Sequence, residues 1–198
     1  MPTVTALRPA RPGRVLVELD GEPWRTVSLE VAARSGLELG LELDRTHLRT
    51  LRRELRRGAA FDAGAKALAR RERSERELRN VLERKGVGER ERDEAVATLR
   101  RHGAVDDVRF AHARASAFAE RGLGDAAIAF RLEREGIDAD TSASALAALE
   151  PECERARRLT ERRGTGARTA RWLAARGFAP ESIDVAVSPA GQALDQWP

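Results

Sequence analysis

Aromatic residues make up only 4% of this 198-residue chain, and tyrosine is absent. A protein that grips unstacked bases on aromatic platforms needs several such side chains, so that mode of strand binding is disfavoured. One cysteine, Cys153, excludes an internal disulfide framework and any cysteine-rich zinc site. No apolar run approaches the roughly 18 residues of a membrane span. The opening Met1-Pro2-Thr3-Val4-Thr5 lacks the charged-then-apolar layout of a secretion signal, so a reduced cytoplasmic location is expected. Lysine is confined to Lys66 and Lys85, so the isoelectric point of about 10.3 reflects arginine.

Catalytic signatures are missing as well. There is no G-x-x-x-x-G-K-[ST] phosphate loop, no G-x-S-x-G elbow and no H-E-x-x-H pair. Gly122-Leu-Gly124 lacks the strand–turn–helix setting of a dinucleotide fingerprint. His47, His102 and His112 do not have the spacing of a zinc or nucleophile site. Asp106 and Asp107 stand just ahead of a predicted helix, where capping explains them better than magnesium does. Glu18, Asp20 and Glu22 read as hairpin charges, and Cys153, near a helix start, has no base beside it in sequence.

What remains is ample for a folded, charged molecule. Hydrophobic residues supply 41% and charged residues 34%, yet the net charge is only +4. Arg14-Val-Leu-Val-Glu-Leu19 alternates with period two, Asp20-Gly21 signals a tight turn, and Trp24-Arg-Thr-Val27 supplies a return strand. Ser28 then caps a short helix that ends at Gly36. From Asp44 onward the pattern is helical, beginning with Leu48, Leu51 and Leu55. Gly58 and Gly64 are expected to loosen the next stretch. Gly86, Gly103, Gly122, Gly136, Gly164 and Gly177 recur where helices of about ten to fifteen residues should stop.

The chain also repeats. Ala65, Leu68, Arg71, Ser74, Leu78, Leu82, Gly86 and Val87 return fifty residues later as Ala115, Phe118, Arg121, Gly124, Ile128, Leu132, Gly136 and Ile137. A third copy holds Ala156, Leu159, Arg162, Thr165, Thr169, Leu173, Gly177 and Phe178, departing in type at Thr169. Ser74 and Glu77 form a capping box, and Thr165 is a candidate cap. Leu78 and Leu82, four apart, share one face, and Val96 and Leu99 belong to a third helix. Units this small bury little alone and gain a core by stacking, in bodies that offer faces rather than deep pockets.

Leu68 to Leu78, followed by Leu82 to Gly86, resembles the RecX family of recombinase regulators. The family's first repeat carries R-x-R-S before E-L and a later L-x-x-K-G, matched here by Arg71, Arg73, Ser74, Glu77, Leu78, Leu82, Lys85 and Gly86. Its paired aspartates with a following Phe-Ala look like Asp106, Asp107, Phe110 and Ala111. Its G-x-x-x-I-x-x-x-L-x-x-x-G-I looks like Gly124, Ile128, Leu132, Gly136 and Ile137. Order, spacing and repeat number agree over residues 60–187. Ala67 departs from the aromatic often found before R-x-R-S, and Arg171-Trp172-Leu173 is a variation in the third repeat.

The expected fold is therefore mainly α: three tandem three-helix repeats forming an elongated curved body, with a small N-terminal β-hairpin extension. Residues 1–59 would hold the hairpin and a helical extension, 60–106 repeat 1, 107–150 repeat 2 and 151–198 repeat 3. The resemblance implies a non-enzymatic, monomeric, cytoplasmic regulator in homologous recombination, DNA repair and the SOS response. It would bind RecA and its single-stranded DNA filament and inhibit filament extension, ATP hydrolysis and strand exchange. Strand contact would be direct or through RecA. No catalytic residue, cofactor, metal or membrane partner is expected. Arg71, Arg73, Arg84, Lys85, Arg121, Arg131, Arg134 and Arg162 are the candidates for partner or DNA contact. Arg71, Arg121 and Arg162 recur at one repeat position, which also suits plain helix-dipole arginines. The wider basic set, Arg157 and Arg158 included, is interleaved with glutamate and reads largely as a solvated, salt-bridged face. Trp172 and Phe178 read as core. The alternatives are a helical DNA-binding module that acts without RecA and a scaffold for another partner.

Overall fold

The computed structural model describes residues 1–188, so the last ten residues assigned to the third repeat lie outside the described residues. Three antiparallel strands come first: β1 (Val4–Arg11), β2 (Arg14–Leu19) and β3 (Glu22–Ser28), in that order across the sheet. The β2–β3 hairpin is the one the alternation predicts. Asp20 (φ 51°) and Gly21 (φ 88°) both take the left-handed backbone that a two-residue hairpin turn of this twist requires. β1 enlarges the predicted hairpin to a sheet. Pro9 and two alanines hide it in the sequence, and its pairing with β2 is irregular near both ends.

The helices follow: α1 (Leu29–Arg34), α2 (Arg45–Leu68), α3 (Glu75–Arg84), α4 (Glu89–Arg101), α5 (Asp107–Glu120), α6 (Asp125–Glu135), α7 (Ala139–Ala147), α8 (Glu152–Arg163), α9 (Ala167–Ala174) and α10 (Pro180–Val187). Ser28 caps α1 by accepting from the Val31 amide at 3.2 Å, and Asp44 caps α2 by accepting from His47 at 2.7 Å. All six glycines predicted to stop helices have positive φ. Gly58 and Gly64 do not loosen anything. They lie inside the 24-residue α2, about 36 Å long at 1.5 Å per residue. A Cβ on Gly64 would stand 2.7 Å from Leu99 Cδ1, and one on Gly58 2.9 Å from Val31 Cγ2. Each glycine admits a neighbouring side chain to the helix surface.

The chain divides into two compact units. Unit one holds Met1–Arg71 with Leu78–Ala104; unit two holds Glu72–Glu77 with the residues from Val105 onward. In unit one the sheet residues Val4, Val17 and Val27 form one core with Val31, Leu43 and Leu51, so the first half of α2 closes the sheet. Its second half, through Ala60, Gly64 and Ala67, is buried, with Leu78, Leu82 and Leu99 within 4 Å of the Cβ position at Gly64. In unit two, Phe110, Ala115, Phe118, Ile128, Leu132 and Ala145 form the core of α5–α7. Ala156, Leu173, Phe178, Ile183 and Ala186 form that of α8–α10. The helical region is thus three successive helix trios.

Unit two joins its parts by one device used twice. Glu75 N–H donates to Asp107 at 2.8 Å, and Asp125 N–H, fifty residues further on, donates to Glu152 at 2.6 Å. The buried Ser74 hydroxyl donates to the Glu135 carbonyl and also accepts from Glu77 N–H at 3.2 Å. Gly124 N–H, at the position corresponding to Ser74, donates to the Arg176 carbonyl at 2.9 Å. Thr165, a predicted cap, does not cap α9; Gly166 occupies that place without a side-chain bond. Thr169 sits buried where the other copies have Leu78 and Ile128, its hydroxyl donating to the Arg163 carbonyl at 3.4 Å.

Candidate interaction surface

Arginine dominates the surface, so the first question is which guanidiniums the fold itself uses. Arg155 is only 4% exposed; it donates to the Leu123 carbonyl at 2.9 Å and the Glu150 carbonyl at 3.0 Å, and pairs with Asp125. Arg176 donates to the Gly122 carbonyl at 2.7 Å and the Arg121 carbonyl at 2.5 Å, satisfying the end of α5. Arg76 does the same for the end of α6, donating to the Arg134 carbonyl at 2.7 Å and to Glu133. Arg114 forms a two-pronged pair with Glu135 and lies 4.5 Å over the Phe118 ring. Glu135 accordingly holds the Arg114 proton more firmly than usual. These four structural arginines have no signature in sequence, because their acceptors are mostly carbonyls far along the chain.

The eight sequence-predicted residues are divided between the two units. In unit one, Arg71 is exposed just beyond α2, and Arg84 and Lys85 are exposed together at the end of α3. In unit two, Arg73 is half-buried ahead of α3, and Arg121 is exposed at the C-terminal cap of α5. Arg131 and Arg134 are both exposed on α6, the first 5.3 Å over Phe118 and the second 5.9 Å over Phe130. Arg162 is exposed in the last turn of α8. Only Arg84 with Lys85, and Arg131 with Arg134, stand as local pairs.

Many of the remaining arginines are ion-paired. Arg56 meets Glu91 at 3.0 Å, Arg90 meets Glu94 at 3.2 Å, Arg157 meets Glu154 at 2.9 Å and Arg158 meets Glu150 at 2.6 Å. A concavity of about 400 Å³ in unit one has the same balanced character, with Arg34, Arg57 and Arg101 facing Glu30, the buried Glu54 and Glu94. The aspartate pair caps helices: Asp106 accepts from Arg109 N–H at 3.0 Å on its own helix, while Asp107 reaches Glu75. Burial pushes Asp107 above the ordinary carboxylate range, against the pull of the Glu75 amide. Asp125 is also raised by burial, although Arg155 opposes it. Among the described residues no group of three or more acidic, histidine or cysteine side chains is arranged to hold a metal.

Comparison with known proteins gives this arrangement a relative. Residues 60–99 match the family model for RecX, first three-helix domain. No curated protein matches the chain. The crystal structure of a regulatory protein RecX superposes with a TM-score of 0.81 at 20% identity, covering 94% of this chain and 98% of that one. The crystal structure of RecX from Lactobacillus salivarius gives a TM-score of 0.61 at 18% identity, covering 67% of this chain and 94% of that one. Residues 60–99 are thus similar to a RecX first three-helix domain, and the chain around them shares the fold of a regulatory protein RecX over 94% of its length.

Proposed function

We propose that this protein regulates RecA by binding it and its filament on single-stranded DNA, inhibiting filament extension, ATP hydrolysis and strand exchange. The observation that carries the reading is the RecX first three-helix domain at residues 60–99 within a chain that has the RecX fold over 94% of its length. In this reading the protein is a cytoplasmic monomer without an active site of its own. It acts sterically, lying along the filament groove and competing with the next protomer or the incoming duplex. Exposed basic side chains, Arg71, Arg84, Lys85, Arg121, Arg131, Arg134 and Arg162 among the candidates, steer the encounter and give it a salt dependence. Arg73 is half-buried and is given a smaller share in that steering.

The test is the ATPase of RecA from the same organism on single-stranded DNA, titrated with this protein at low and moderate salt. Saturable inhibition at substoichiometric ratios is expected. No inhibition at either salt, with the helical circular dichroism intact, would overturn the reading.

A further inference from the structure

We propose that a concavity between the end of α8 and the start of α9 binds the phosphodiester backbone of a nucleic-acid strand. Its lining is Arg162, Arg163, Arg168, Thr169 and Trp172, around a volume of about 480 Å³. Arg163 lies 4.1 Å over the Trp172 ring and Arg176 lies 4.8 Å over the same ring. Arg176 is held by the carbonyls of Arg121 and Gly122. The indole is thereby clamped, and it in turn fixes the plane of the Arg163 guanidinium.

The charge balance of this hollow differs from that of the preceding turn of α8. Arg157 and Arg158, one turn earlier on α8, each have a glutamate partner. Arg162, Arg163 and Arg168 have no ion-pair partner among the described residues, although Glu161 lies beside them in sequence. The first turn of α9 carries no acid. Three uncompensated cations around one hollow repel one another until an anion enters. Guanidinium forks match phosphate oxygens in pairs, which makes the hollow suited to phosphate.

The lining also says what is not read. Its one hydroxyl, on the buried Thr169, donates to the Arg163 carbonyl. The indole already carries two guanidiniums. The hollow therefore offers guanidinium donors and neither a carboxylate nor an amide to recognise cytosine or adenine. Binding is to backbone charge, independent of sequence. The choice of a nucleic-acid strand over a carboxylate-rich protein segment rests on the RecA-regulator reading above.

The experiment is fluorescence anisotropy of a labelled oligo-dT without RecA, over a salt series. A duplex of the same length and a polyglutamate competitor form parallel arms. The variants are the triple Arg162→Ala, Arg163→Ala, Arg168→Ala; Arg163→Lys, which keeps the charge and loses the planar fork; and the paired-arginine control Arg157→Ala, Arg158→Ala. The triple variant is expected to lose at least tenfold in affinity. Its logarithmic salt slope should fall by about 2, as three lost phosphate contacts to a single strand imply. Arg163→Lys should lose several-fold, and the control less than the triple. A loss on both strand forms, or on one of them, supports the site and identifies the strand it takes. The proposal is overturned if the wild type binds neither strand, if the triple variant keeps its affinity and slope, if the control loses as much, or if polyglutamate displaces the strand as well as unlabelled oligo-dT does. RecA ATPase inhibition is read on the same samples. Strand binding that depends on the three arginines without ATPase inhibition would sink the regulator reading alone. Intact inhibition by a triple variant whose strand binding equals wild type would sink the site alone.

Discussion

At the scale of single residues, the tightest constraint is a pair of glycines. A Cβ on Gly124 would stand 2.3 Å from the backbone carbonyl of Gly177 and from the Phe178 nitrogen. Those are main-chain atoms, with the Gly177 carbonyl held by the Ala126 amide at 3.2 Å and the preceding Arg176 carbonyl by the Gly124 amide at 2.9 Å, so they cannot swing away. Gly124→Ala should destabilise by about 3 kcal/mol, at the upper end of overpacking costs. Denaturant midpoints at unchanged m-value would measure it. Arg155 is the second constraint. Replacing it with alanine leaves two carbonyls and a half-buried carboxylate without their donor, and a loss of roughly 3 kcal/mol is expected by the same measurement. The carboxylates divide by sign. Asp138 is held below the ordinary range by the Thr141 amide and hydroxyl, so its stabilisation is present above that range and is lost as pH falls. Asp107 is raised by burial, so it favours the folded state when protonated and loses stability as pH climbs through its raised range. Melting temperatures across the acid range should show Asp138→Asn losing part of the wild-type drop. Asp107→Asn, which keeps an acceptor for Glu75, should gain on the wild type as pH rises. Parallel curves for all three proteins would contradict both assignments.

At the scale of elements, α2 shows what the sequence reveals and what it hides. Alanine exceeds glycine in helix propensity by about 1 kcal/mol, so two glycines in one stretch read as a weak point. In three dimensions the missing side chains are what Leu99 and Val31 occupy, and the helix runs on between the sheet core and the first helix trio. Gly64→Ala sets these effects against each other. Leu99 is 3% exposed and has little room to yield, so packing should win. A net loss of about 1 kcal/mol in thermal or denaturant unfolding is expected, and a net gain would show that propensity dominates. Other elements were legible for definite reasons. The Asp20-Gly21 turn, the Ser28 and Asp44 caps and the helix-stopping glycines are local signals, and local signals survive in a single sequence. The links within unit two were not, because their acceptors break the repeat. Glu75 and Asp125 keep the fifty-residue spacing, but Asp107 and Glu152 do not. The Thr169 departure is now explained by its hydroxyl bond to Arg163. The concavity at α8–α9 was visible only as Arg162. Its other members, Arg163, Arg168 and Trp172, are recognisable only once the pairing of their neighbours is known.

At the scale of the whole molecule, charge decides how the partner is met. The chain carries 36 basic and 32 acidic residues, and a net charge of +4 is too small by itself to drive tight binding to a polyanion. Exposed pairs such as Arg34 with Glu30 and Arg90 with Glu94 contribute little to stability, at most about 1 kcal/mol each. Their effect is to cancel most of the positive field, so that under the proposed RecA reading the positions of the arginines should matter more than their number. This separates two variants of equal charge. Reversing Arg71, Arg121 and Arg162 together to glutamate touches the recurrent repeat position. Reversing Arg34, Arg90 and Arg157 touches arginines off that repeat position, each paired with a glutamate three or four residues away. Each set takes the net charge from +4 to about −2, so a bulk-charge effect predicts equal losses of RecA filament affinity. Recognition by position predicts a loss of tenfold or more in the first set, largest at low salt, and a much smaller loss in the second. Filament pull-down and RecA ATPase inhibition, with circular dichroism to establish folding, distinguish the two. Unchanged filament affinity in the first set would remove the recurrent arginines from the contact surface.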